Sequence, residues 1–102
     1  MRVETSHHVD ASELREDGSY DWHYEYDLWV FTEGAVSLVA RSYSDAPSSA
    51  HFLRLEINGE RRPLSIEDVS STLATEAADH LRGIGRTALS WLGRGYEPLP
   101  QQ

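Results

Sequence analysis

The sequence predicts an α+β fold: an antiparallel sheet of four to five strands followed by one broken or two C-terminal helices packed on one face, a two-layer sandwich. Three observations carry it. Polar and apolar residues alternate at period two through most of the first 57 positions. Asn58-Gly59 then supplies a two-residue hairpin signal, because both residues tolerate positive φ. From Ile66 onward the apolar spacing changes to three and four, the period of a helix. Strands first and helices last places the helices together on one side of an antiparallel sheet.

The elements follow in order. Residues 2–9 alternate weakly, with Val3, Thr5, His7 and Val9 on one side, and predict an edge strand. Asp17-Gly18-Ser19 is a turn. Residues 20–32 are the plainest strand. Tyr20, Trp22, Tyr24, Tyr26, Leu28 and Val30 fall on one face; Asp21, His23, Glu25 and Asp27 fall on the other, followed by Trp29 and Phe31. Glu33-Gly34 turns the chain into a strand over 36–43, and the short separation makes these two a hairpin. A loop at 44–49 leads to a strand over 51–57, in which Leu53, Leu55 and Ile57 point one way and Arg54 and Glu56 the other. The return strand over 60–64 contains Pro63, which has no ladder N–H, so it belongs at an edge. Ser65 is an N-cap with Glu67 and Asp68 in the first turn, and helices are expected over 66–82 and 84–92 with a break at Gly83 and Gly85. The tail, 95–102, carries Pro98 and Pro100 and reads as irregular.

The chain has 102 residues, enough for a single domain with one modest core. It has no cysteine, which removes disulfides, thiolate metal ligands and thiol nucleophiles. No apolar run approaches the roughly 20 residues of a membrane helix, and the N-terminus lacks a signal-peptide core, so the expected location is cytoplasmic, with no membrane partner. Net charge is −8. The acidity is concentrated in residues 1–33, where nine acids oppose Arg2 and Arg15; the rest of the chain holds eight acids and seven arginines. That distribution disfavours a phosphate backbone as partner, so nucleic acid is not expected, and it attracts a basic protein.

The aromatic strand is the main candidate for function. Both of its faces are partly apolar, and one helical layer covers one face. The N-terminal segment or the tail is expected to cover the second face; left uncovered, Tyr20, Trp22, Tyr24 and Tyr26 form a partner-binding or self-association surface beside the charges of Asp21, Glu25 and Asp27. The acidic positions stand roughly 7 Å apart along the strand, loose for a single metal ion and ordinary for a solvated face. No histidine pair has metal-ligand spacing, and neither a nucleophile elbow nor a phosphate loop is present, since Gly83-Ile84-Gly85-Arg86 lacks a preceding strand. Catalytic residues, metal and cofactor are accordingly all expected to be none.

In size, acidity, absence of cysteine and sheet-then-helix order, the chain resembles small bacterial immunity or inhibitor proteins; the resemblance is one of type and carries no residue across. The expected function is a non-enzymatic interaction domain, in its sharpest version a toxin-neutralising or regulatory binder of a basic partner. Two alternatives belong to other classes. One is a small hydrolase or metal-dependent enzyme using Asp21, His23, Glu25 or Asp27; the other is a structural homo-oligomer, for example a homodimer.

Overall fold

A computed structural model describes residues 1–100. It is a sheet-rich α+β fold with a seven-stranded, mostly antiparallel sheet and two short helices. The strands are β1 (Arg2–Ala11), β2 (His23–Glu33), β3 (Val36–Tyr43), β4 (Ser49–Ile57), β5 (Glu60–Arg62), β6 (Ala88–Leu92) and β7 (Tyr96–Pro98); the helices are α1 (Ile66–Val69) and α2 (Thr72–Gly83). Strand order is β1-β2-β3-β4-β6-β7, with β5 also paired to β4. No helix is long and apolar enough to cross a membrane among the described residues.

The local signals act as their chemistry requires. Gly34 has φ 60° in the two-residue β2–β3 turn, so opposed residues run from Glu33↔Val36 to Tyr26↔Tyr43. Asn58 and Gly59 both adopt positive φ between β4 and β5. Ser65 caps α1 in a reciprocal capping box with Asp68. Pro63 falls just beyond β5, which ends at Arg62.

The core lies between the sheet and α2. Trp29 and Phe31 of β2, Leu38 and Ala40 of β3, and Ala50, Phe52 and Leu55 of β4 meet Ala74, Ala77, Ala78 and Leu81 of the helix. The small helix residues let the two layers approach closely, and His80 sets its ring edge-on to Phe31 at 5.6 Å. At 1.5 Å per residue α2 is about 18 Å long, whereas β2 spans about 36 Å. The helix therefore covers only one half of this sheet face. That length mismatch explains how Glu25 and Asp27 share a face with Trp29 and Phe31.

The helix expected over 66–82 is divided into α1 and α2 at Ser70 and Ser71, and four further expectations from the sequence need correction. First, residues 84–92 are not helical. Gly85, at φ 95°, turns the chain out of α2, and 88–92 joins the sheet as β6, parallel to Ser49–Phe52 of β4. Leu89 and Trp91 then face the core at period two. Second, the sheet has seven strands instead of four to five, because β6 and β7 lie where a helix and an irregular tail were expected; Gln101 and Gln102, the end of that tail, lie outside the described residues. Third, β4 contains a bulge opposite Val39 and Ala40, with Leu53 as the extra residue. The bulge shifts the alternation by one, so Phe52 and Leu55 both point into the core and Leu53 is only half-buried. Fourth, neither the N-terminal segment nor the tail forms a layer over the second sheet face, although the Tyr96 side chain of the tail packs on His51 and accepts from Arg41 there. β1 and β7 extend the sheet sideways at its two ends.

Candidate functional site

The β1–β2 hairpin is longer than the sheet it belongs to. The β2–β3 register ends at Tyr26↔Tyr43, while β1 and β2 continue through Val9↔Glu25, Asp10↔Tyr24 and Ala11↔His23. Beyond them an 11-residue connection folds back with a bridge between Leu14 and Tyr20. The result is a two-stranded arm, consistent with a molecule 49 Å long and only 28 and 26 Å across.

Local hydrogen bonds order the tip of the arm. Ser12 Oγ accepts from the backbone N–H groups of Asp21 (2.8 Å) and Trp22 (3.3 Å). The backbone of Ser12 donates to the Trp22 carbonyl at 2.9 Å. Asp17 accepts from both the backbone and the hydroxyl of Ser19. Those two bonds hold the Asp17 carboxyl below its ordinary pKa range, side-chain bond first, so it stays charged under mildly acidic conditions. Arg15 pairs with Asp21 across the turn.

The arm is both acidic and apolar at its surface. Residues 10–25 hold six carboxylates, from Asp10 to Glu25, against the single guanidinium of Arg15. Val9, Leu14, Tyr20, Trp22 and Tyr24 are between 47 % and 61 % exposed. Few features of a folded monomer call for so many half-exposed aromatic groups on one projection.

The residues singled out in the sequence separate into three places. Tyr24 and Tyr26 are on the open face of the sheet, away from α2. Tyr20 and Trp22 precede β2, which starts at His23 and not at residue 20, and lie in the arm connection with Asp21. Glu25 and Asp27 are on the helix side, past the reach of α2. There the acids tie strands together. Asp27 takes a 2.7 Å hydrogen bond from His7 Nδ1, and Glu25 lies 3.5 Å from His7 Nε2 and 3.8 Å from His23. Arg86 stands over the Trp29 ring at 5.6 Å and reaches Asp27 at 3.8 Å, closing the boundary between core and acids. Among the described residues no group of three His, Asp or Glu side chains is arranged to hold a metal ion.

His7 and His51 give the protein opposite pH responses. The hydrogen bond that His7 donates to Asp27, with the charges of Asp27 and Glu25, raises the His7 pKa above 6.5, with burial opposing. Burial, then the charge of Arg41, lowers that of His51. His7 therefore adds stability that is complete below pH 6.5 and is lost as pH rises through its folded value. His51 does the reverse: stability falls as pH drops from 6.5 through its lowered value. The two contributions therefore run in opposite directions on the two sides of pH 6.5. In urea titrations, His7→Gln is expected to flatten the decline above that pH and leave the acid limb unchanged; an unaltered alkaline limb would remove the role assigned to His7.

The open face holds residues that a strand-by-strand reading passes over. His8 stacks on Tyr26 at 5.3 Å, and Tyr26 and Tyr24 both meet Tyr43, at 5.9 and 6.0 Å. Arg41 lies over the Tyr43 ring at 4.7 Å and donates to the Tyr96 hydroxyl at 2.9 Å. Tyr96 in turn packs on His51 at 4.3 Å, and His51 bonds Ser90. The two-residue turn at Gly34 is the signal that finds Tyr43, because it fixes Tyr26↔Tyr43 once the hairpin is recognised. Tyr96 has no such local signal.

A cleft of about 190 Å³ opens where β2 parts from β3. His23, Tyr24 and Glu25 form one wall and Tyr43, Ser44 and Asp45 the other. The Ser44 backbone N–H donates to the Glu25 carbonyl at 2.9 Å across its base. No protein-family model matches this chain, and neither a curated protein nor a solved structure does.

Proposed function

We propose that this chain is a small non-enzymatic protein-interaction domain, an inhibitor or regulatory binder, that captures a basic protein partner with its β1–β2 arm. The observation that carries this reading is the coincidence on one projection of six carboxylates, from Asp10 to Glu25, and five half-exposed apolar side chains. Charge brings the partner in and sets the encounter rate; desolvated Tyr and Trp rings supply the retention. The hydrogen-bonded tip favours binding because less conformational entropy remains to be lost.

An arginine-rich peptide is a direct probe. At low ionic strength it should associate rapidly, and the rate should fall steeply with added salt. Neutralising the arm with Glu13→Gln, Glu16→Gln, Asp17→Asn and Asp21→Asn should slow association about tenfold or more, with dissociation changed much less. Neutralising Glu60, Glu67, Glu76 and Asp79 on the body is the matched control and should have little effect. Equal losses in the two variants, or an association rate indifferent to salt, would count against the arm.

A further inference from the structure

We infer that the cleft between β2 and the β3–β4 loop is a receptor for one cationic side chain of the partner, an arginine in preference to a lysine. This rests on the acidic-arm reading and assigns it a specific anchor. The cleft has tyrosines on both walls and the acidic Asp45 on its loop side. The Tyr24 and Tyr43 rings pack against each other at 6.0 Å, tilted by 54°, and leave the half-exposed Tyr24 ring at the rim as the surface for an added group. Glu25 and Asp45 both contribute to its lining. A guanidinium placed there meets a tyrosine ring and the acidic residue of the loop, Asp45, together, the two kinds of environment in which it binds best.

The surroundings are set for this. Tyr43 and Asp45 are held in place by consecutive turns: the N–H of Ala46 donates to the Tyr43 carbonyl at 3.1 Å, and that of Ser49 to the Ala46 carbonyl at 3.0 Å. Asp45 is exposed and has no ion-pair partner among the described residues, while the Glu25 carboxylate is turned to the helix side, beside His7 and His23. Two positive groups bear on the site. His23 lines it, and Arg41 already lies over Tyr43. Arg41 donates to Tyr96, which holds it on the open face and leaves the half-exposed Tyr24 ring as the main free surface. The cleft also adjoins the stretch of β2, His23–Glu25, that has no β3 partner, so an extended segment carrying the arginine has backbone to align against.

The test titrates the full chain, labelled for amide NMR, with N-acetyl-arginine amide, its lysine counterpart and the neutral citrulline counterpart. Shifts are expected at Tyr24, Tyr43, Ser44 and Asp45 with arginine, smaller ones with lysine and none with citrulline. Asp45→Asn and Tyr24→Ala, both at exposed positions, should each weaken arginine binding about two- to fivefold. Equal response to citrulline, or shifts confined to residues 13–21, would overturn the cleft. If the arginine-rich peptide still binds in a salt- and arm-dependent way while both cleft variants match wild type, the anchor is wrong and the acidic arm stands. If neither ligand binds at millimolar concentration, both readings fall.

Discussion

Replacing Phe31 with alanine is expected to cost about 3–5 kcal/mol. Phe31 is 0 % exposed. On the sheet it lies between Val3 and Leu38, its partners in the β1 and β3 registers. Above it His80 presents a ring edge, and Leu81, equally inaccessible, completes the helix side. Truncation would leave a void walled by two hydrogen-bonded strands and a helix, none of which can close in without breaking its own ladder. The cavity cost therefore adds to the lost transfer energy. Against a total of about 5–15 kcal/mol for a domain of this size, that is a large fraction, and the thermal midpoint should fall by at least about 12 °C. Urea denaturation measures it directly. Phe31→Leu keeps most of the volume and should cost less than about 1.5 kcal/mol. Tyr24→Ala on the arm should stay within about 0.5 kcal/mol of wild type. A Phe31→Ala loss as small as that of Tyr24→Ala would mean that the helix does not pack where it is described.

The sequence declares what is decided within a few residues. β3 is legible because Val36 to Tyr43 alternate and a glycine at φ 60° precedes them. The Ser65 cap and the Asn58-Gly59 turn are legible for the same reason: each is satisfied by its own neighbours. What is hidden is decided by distant partners. The segment after Gly85 carries Ile84, Ala88, Leu89 and Leu92 at helical spacing, yet it extends because β4 offers an unpaired edge beside Phe52, 39 positions earlier than Trp91. The bulge at Leu53 is equally invisible, since a one-residue slip looks like uninterrupted alternation until Arg54 is found opposite Val39. The candidate surface divides along the same line. The acids and aromatics of 20–27 are plain in the sequence, and their period-two spacing is correct from His23 onward. That Glu25 and Asp27 share the core face depends on the length of α2. That Tyr24 meets Tyr43 and Asp45 across a cleft depends on where β3 ends. Neither length is set by the strand that carries the acids.

Trp91→Ala is the second large expected effect, and it separates the observed strand from the helix that the spacing suggests. In β6 the side chains alternate, so Leu89 and Trp91 point to the core; Trp91 is 8 % exposed and Leu92, on the other side, is 39 % exposed. A helix over the same residues would instead make Leu89 and Leu92 neighbours on one stripe. The strand therefore predicts a loss of about 3–5 kcal/mol for Trp91→Ala and less than about 1 kcal/mol for Leu92→Ala. The effect should also be uneven in space. β6 is five residues long, joins β4 through four register pairs, and among the described residues is the only strand paired with β7. Without its ring, β6 and β7 should open before the antiparallel strands do, which amide exchange would show as lost protection at Leu89 to Leu92 with β2 and β3 still protected. The opening would also release Tyr96 from His51 and Arg41, so the tyrosine contacts at the far end of the open face should loosen with it. A uniform loss of protection across all seven strands would instead make β6 part of the main cooperative unit, with Trp91 holding the whole sheet and not only its last two strands.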